Sequence, residues 1–400
     1  MEYTVLAGTL IDGRSNKPKR NIEITIENEK ISQIRDQKDD RRKENNFYNI
    51  DATKYTILPG LIDSHVHIMM NPEYKAWHNW VFEEKEDLML LKATDNLSQL
   101  LESGVTTIRE CGAYGNISYA LREAVELKYL KGPRLIISGS PITITGGHCY
   151  YMGIEADSKD ELKKAVRGLN KKKVDFIKLM ATGGSLTPQS SRRGIQYSYD
   201  EIRLVVEEAH LRGKKVAAHA LCTKGIIDSA KAGVDTIEHC AWLDPEDGFI
   251  YDDNSVKQMF DRKIYINPCL PATAKYLSRV SPEEKTYLFN SRIGLLKKTF
   301  QAGVEMLAGT DSGVPEVGFN SIVESIKLLN EYIGLSKMQA IFAATINSAN
   351  ALGIGDLVGS IEVGKFADMM IVESDPLNNL DDLKKVVMVI KSGEIVYKKK

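Results

Sequence analysis

Four hundred residues exceed the span of one ordinary core, so a large domain with a smaller companion is expected. A formal charge of −1 and a pI near 6.7 leave no basic stripe to neutralise a run of phosphates, which argues against nucleic acid as a partner. Five scattered cysteines without a CxxC pair argue against a disulfide framework, and no apolar run approaches the roughly 18 residues that span a bilayer, so a soluble, cytoplasmic protein with no membrane partner is expected.

Residues 1–58 alternate short strand-like runs with polar turns. Apolar residues at Ile22, Ile24 and Ile26, a polar turn over 27–30 and a return at Ile31 and Ile34 predict a hairpin with one buried face. A charged stretch, KDDRRKENN, follows. The C-terminal runs ADMMIVES and VVMVIKSGEIVYKKK repeat the style, with SG as the turn. The two ends are therefore expected to pair into one small β-sandwich domain, residues 1–58 with 359–400, flanking a central unit of 59–358.

In that unit compact apolar strands alternate with longer helical segments. Strands are predicted at 61–67, 105–109, 134–138, 174–180, 215–219, 236–239, 263–267 and 305–309. Helices are predicted at 88–102, 159–169, 199–212, 223–231 and 282–301, with glycine caps at Gly104, Gly213, Gly233 and Gly303. This α/β pattern suits a (β/α)8 TIM barrel, whose chemistry sits at the carboxyl ends of the strands.

The polar residues of interest fall at those ends. His65 and His67 in GLIDSHVH stand two apart on a strand, so both project to one face, where neutral imidazoles suit zinc-type ions. His219 in VAAHA and His239 in TIEHC close the next candidate strands in matching fashion. Lys178 lies inside the apolar run VDFIKLM. One reading is a lysine that snorkels or pairs with a carboxylate; the other is a neutral amine that takes up carbon dioxide to become a carbamate, offering one oxygen to each of two metal ions. Asp311 in MLAGTD is either a helix N-cap or a carboxylate beside metal-held water, where it acts as general base and then general acid.

Taken in order and spacing, LPGLIDSHVH, GVTTIRE, FIKLMATGG, VAAHA, GVDTIEH, AGTDSG, ATINSANALG and GSIEVGKFADMMIV resemble the amidohydrolase superfamily over essentially the whole chain. The resemblance is to the binuclear branch with Xaa-Pro and Xaa-Arg dipeptidases, ochratoxin-type amidases and phenylurea hydrolases, related to imidazolonepropionases. It implies two divalent ions, zinc foremost, with His65, His67 and Asp311 on one, His219 and His239 on the other, and carboxylated Lys178 bridging them. It also implies hydrolysis of an amide, peptide-like or carbamate C–N bond of a small-molecule substrate by water held between the ions. A homo-oligomer is expected.

His148 in ITGGHCY matches a loop histidine that contacts the substrate, and Arg192 and Arg193 border the same pocket, where a carboxylate or bulk water is their alternative partner. Leu221 stands where peptidase members commonly carry Tyr or His, which suits a more apolar amide, ester or carbamate. Glu110 replaces a usual aspartate and Cys149 a usual glycine. Aromatic residues in the candidate pocket loops, Tyr74, Trp77, Trp80, Tyr150 and Tyr151, suit an apolar substrate or packing beneath the loops. The alternative functions are a mononuclear deaminase or cyclic-amidine hydrolase, against which Cys222 stands where such enzymes carry glutamate; a dipeptidase proper; a lactone or ester hydrolase; and a non-catalytic relative.

Overall fold

The structure is a computed structural model that describes residues 2–37, 48–73, 81–244, 246 and 248–400. The charged stretch around 38–46 and the aromatics Tyr74, Trp77 and Trp80 lie outside the described residues.

The period-two isoleucines behave as their spacing predicts. Strand Lys19–Glu27 buries Ile22, Ile24 and Ile26 on one face and pairs antiparallel with Lys30–Asp36. The SG turn likewise joins Val386–Lys391 to Glu394–Lys398. Both hairpins belong to a β-sandwich drawn from the two ends of the chain. Its strands follow one continuous hydrogen-bonded order: Glu394–Lys398, Val386–Lys391, Met369–Val372, Tyr48–Pro59, Glu2–Leu10, Lys19–Glu27 and Lys30–Asp36. The ends of the chain meet where Met369–Val372 pairs antiparallel with Tyr48–Pro59. The enclosed core includes Val5, Ile24, Ile57, Met369 and Ile390, all buried.

The central unit is a (β/α)8 barrel. Parallel strands Leu61–Val66, Val105–Glu110 and Arg134–Ile137 make one arc. Phe176–Met180, Lys215–Cys222, Thr236–Leu243 and Tyr265–Asn267 make the other. The arcs join where Asp175 N donates to Ile137 O at 2.8 Å. The predicted eighth strand is reduced to a parallel bridge between Met306 and Ile266, and the ring closes where Asp311 N donates to His65 O (2.8 Å) and His67 N to Ser312 O (2.9 Å). Its residues still occupy the eighth position; the ladder there is too short to form a regular strand.

Helix Lys159–Lys171 starts at a capping box between Ser158 and Glu161 and lays Leu162, Val166 and Leu169 against the barrel. Each such aliphatic burial is worth about 1.5–3 kcal/mol. All four predicted glycine caps adopt positive φ. Helix Leu270–Leu277 follows the seventh strand with Pro271, whose fixed φ suits a first turn. One segment departs from expectation. The single helix expected over 282–301 is split into Pro282–Leu288 and Gly294–Gln301 by a π-helical turn at Phe289–Ile293.

Candidate metal centre

Strand alternation carries the donors to the barrel mouth. His65 is the last residue but one of the first strand and His67 follows that strand, their ring centroids 5.3 Å apart. Asp311 stands opposite, with Oδ1 3.5 Å from His65 Nε2 and 3.4 Å from His67 Nε2. The fifth and sixth strands bring His219 and His239 to a centroid separation of 4.7 Å, and His239 lies 5.4 Å from His65. These two strands continue past their histidines to Cys222 and Leu243, further than predicted. The backbone there is irregular: His239, Cys240, Trp242 and Asp311 all hold positive φ, a conformation that costs energy and clusters at functional sites.

Lys178 lies mid-strand, 1% exposed, and its Nζ has no hydrogen-bond partner. A buried amine normally finds an acceptor. The snorkelling and ion-paired readings therefore find no support in the fold. In register it pairs with Ala217, two residues before His219 on the neighbouring strand.

Behind the donors lies a polar network that the sequence reading missed. Glu238, fully buried, takes His65 Nδ1–H on Oε2 at 2.7 Å. Its Oε1 accepts from Arg109 Nη2 at 2.7 Å and from Thr236 Oγ1 at 2.6 Å. Arg109 Nε also donates to Ser64 O at 2.6 Å. Holding the proton on Nδ1 leaves Nε2 of His65 with its lone pair toward the centre, the usual arrangement behind a metal-binding histidine. The available signal was a carboxylate and a guanidinium inside the apolar strands TIEH and TTIRE, since buried charges of opposite sign need each other. Asp63 performs a related task, accepting from Thr310 N (3.0 Å) and Thr310 Oγ1 (2.6 Å) and so clamping the first strand to the eighth.

Electrostatics follow from burial. Desolvation, aided by Lys178, pushes His65 down to about 4 and His148 down to about 3, so both rings are neutral donors or ligands. Burial also drives His219 and His239 well below the ordinary value. Desolvation works against His67, but the Asp311 carboxylate outweighs it and holds that ring above its usual value. Glu110 is pushed up to about 7 by burial and receives Gly112 N on both carboxyl oxygens at 3.2 Å.

Three groups of atoms within 4.8 Å of one another have the makings of an ion site: His65 with His67 and Asp311; His65 with His239 and Cys269; and His65 with Cys111 and Glu238. Chemistry separates them. Burial raises Cys111 to about 12 and Cys269 well above the ordinary thiol range, so both stay protonated, and Glu238 is committed to Arg109. Two neutralisable imidazoles with a carboxylate, two further imidazoles nearby and an unpartnered amine between them fit divalent ions.

The remaining candidates surround this cluster. His148 is buried with its ring 4.6 Å from that of His219 and its Nδ1 3.4 Å from Thr187 Oγ1. A Cβ on Gly184 would meet that ring at 2.3 Å, so only glycine leaves it room. Cys149 holds φ 60, which accounts for glycine being usual there. Leu221 packs with Cys222, Ala241, Leu243 and Phe249 in a small apolar cluster. Tyr150 and Tyr151 pack edge to face with each other and lie beside the Phe82 ring. Arg193 donates to the carbonyls of Asp244 and Gly248, whereas Arg192 is exposed.

The sequence model of the amidohydrolase family matches residues 56–396, most of the chain. The chain belongs to the amidohydrolase family. This amidohydrolase is thus an enzyme hydrolysing carbon–nitrogen bonds with the help of metal. It is 24% identical to ochratoxinase of Aspergillus niger, over 98% of this chain and 86% of that protein. It is 26% identical to imidazolonepropionase of Clostridium tetani, over 95% and 91%. Among solved structures it resembles a Xaa-Pro dipeptidase crystallised with methionine in the active site, with a TM-score of 0.88, 30% identity and 100% of both chains covered. Among the described residues no helix is long and apolar enough to cross a membrane.

Proposed function

We propose that the protein is a binuclear amidohydrolase cleaving the amide or carbamate bond of a small apolar substrate. His65, His67 and Asp311 would hold one ion, His219 and His239 the other, and Lys178, carboxylated by carbon dioxide, would lie between them, with zinc the favoured metal. The observation that carries this reading is the buried, unpartnered Lys178 amine amid four histidines and Asp311. When bound, such ions polarise the substrate carbonyl and bring the ionisation of water down toward about 7.

The chain's own groups do the rest. Asp311 takes the proton released as water attacks and returns it to the leaving nitrogen. His148, neutral through burial, donates to the substrate oxygen without adding charge to the site. Glu238 and Arg109 keep His65 in one tautomer. The cluster around Leu221 favours an apolar group on one side of the scissile bond, with Arg192 and Arg193 on the rim. The likeness to a Xaa-Pro dipeptidase favours a second reading, a dipeptidase proper.

A screen of N-acyl amino acids, dipeptides, aryl carbamates and lactones against metal-loaded protein tests both. Turnover of dipeptides alone would favour the second reading. Metal analysis should give about two ions per chain, and one would favour a mononuclear enzyme. A Lys178→Ala variant with full metal content and full activity would remove the bridging carbamate. We further take 59–358 as the catalytic unit and 1–58 with 359–400 as the β domain, and place the protein in the cytoplasm as a homo-oligomer. Five free, buried cysteines support a reducing compartment, and sedimentation tests the assembly.

A further inference from the structure

The second histidine of the strand-end pair is held by the backbone, and that backbone is held by Glu110. His67 Nδ1 stands 3.1 Å from Gly112 O. A carbonyl can only accept, so the neutral ring carries its proton on Nδ1. The lone pair of Nε2 is then turned toward the side of the site where Asp311 Oδ1 lies, 3.4 Å away.

Gly112 is the soft point of that arrangement. It lies two residues past the end of the second strand, Val105–Glu110, and holds φ 144, a conformation open to glycine because it lacks a Cβ. A Cβ there would meet Pro141 Cδ at 3.2 Å and Cγ at 3.3 Å, so a side chain cannot readily stiffen the position. Its neighbours are fixed by backbone bonds: Cys111 N donates to Val66 O at 2.9 Å, and Ala113 N to Gly139 O at 3.1 Å. Gly112 N donates instead to the Glu110 carboxylate, 3.2 Å from each oxygen.

Glu110 is fully buried, and its Oε1 lies 4.0 Å from His67 Nδ1, too far for a hydrogen bond. The side chain therefore does not grip the imidazole itself. It grips the N–H of the one residue whose carbonyl does. The strand end is anchored in turn from the third strand's side, where Ser138 N and Ser138 Oγ both donate to Glu110 O at 3.2 Å.

We propose that Glu110 is a positioning residue for His67, acting through Gly112 to fix the tautomer of the ring and its aim into the metal centre. The proposal rests on the reading of His67 as a metal ligand. It gives the two histidines of the pair separate supports: Glu238 acts on His65 directly, whereas Glu110 acts on His67 through a glycine carbonyl. What the position requires is an acceptor for Gly112 N, and an amide oxygen meets that requirement as a carboxylate does.

The test compares Glu110→Leu, which removes the acceptor, with Glu110→Gln, which keeps it, in zinc-loaded protein. Two quantities are read: zinc affinity by competition with a chelator, and hydrogen exchange of the His67 Nδ1 proton by NMR, its signal assigned with His67→Asn. In Glu110→Leu zinc affinity should fall at least about tenfold and the Nδ1 proton should exchange at least about tenfold faster, while Glu110→Gln should stay within about threefold of the unsubstituted protein in both. A merely structural role for Glu110 would leave that proton protected. Unchanged affinity and exchange in Glu110→Leu overturn the proposal. So does a loss of about tenfold in Glu110→Gln, a result that decides the matter even if the leucine variant fails to fold. If the unsubstituted protein binds no zinc, the metal reading fails, and exchange of the same proton in metal-free protein still decides the positioning.

Discussion

Replacing Glu238 by Gln probes the network behind the metal centre with almost no change of shape. In the native site Oε2 accepts from His65 Nδ1 at 2.7 Å, while Oε1 accepts from Arg109 and Thr236. The amide keeps Oε1 for Arg109 and Thr236 but turns an NH2 toward His65. Two donors cannot share that contact, so the imidazole must accept at Nδ1 and carry its proton on Nε2, the atom that faces Asp311. Loss of such a partner weakens metal affinity by about 10–100-fold. The fold pays as well. Arg109, 3% exposed, loses its ionic partner, and breaking one side of a buried pair costs about 3–5 kcal/mol. The retained Oε1 contact puts the expected loss near the lower figure. Competition with a chelator measures the first effect, and denaturant unfolding of metal-free protein measures the second. Metal affinity within about twofold of the unsubstituted enzyme, together with unchanged stability, would refute the reasoning.

Gly184→Ala drives a methyl group into the His148 ring, so kcat/KM should fall at least about tenfold while the melting temperature moves little; normal turnover would show that His148 plays no part in the reaction. Asp311→Asn should leave the fold intact and abolish turnover, and a near-normal rate would assign proton transfer to another group. Outside the site, the hydrogen bond between His210 Nε2 and Asp235 Oδ2 (2.8 Å) raises His210 above its ordinary 6.5. Its stabilisation is therefore full below the unfolded value and fades as pH rises through the raised one. The imidazole is 43% exposed, so solvent screening limits the effect of His210→Ala to under about 1 kcal/mol, larger near pH 5.5 than near pH 8.5. Urea midpoints at the two pH values check this, and a larger loss at the higher pH would contradict it.

The barrel and the placement of His65, His67, Lys178, His219, His239 and Asp311 on or just beyond its strands were legible because they depend on local pattern. An apolar strand ending in a polar residue announces both the element and its exposed end, whatever surrounds it. The hairpins at the two ends were legible for the same reason, through period-two isoleucines and a two-residue turn. The eighth strand was named in the right place, but nothing local revealed that its ladder would shrink to one bridge.

Tertiary structure alone decided which charges meet. Arg109 and Glu238 are 129 positions apart in sequence, and each looks like a misplaced charge in its strand until barrel closure brings them together. The π-helical turn Phe289–Ile293, which buries Ile293, interrupts a helix whose sequence reads as continuous, because packing against the sixth strand rather than local propensity selects it. Gly184 reads as one more loop glycine until the His148 ring is found against it. Sequence thus determined the scaffold and the polar residues placed along its strands, through short-range periodicity. Long-range packing determined the tautomer of His65 and the unpartnered amine of Lys178, since each depends on contacts that no local window contains.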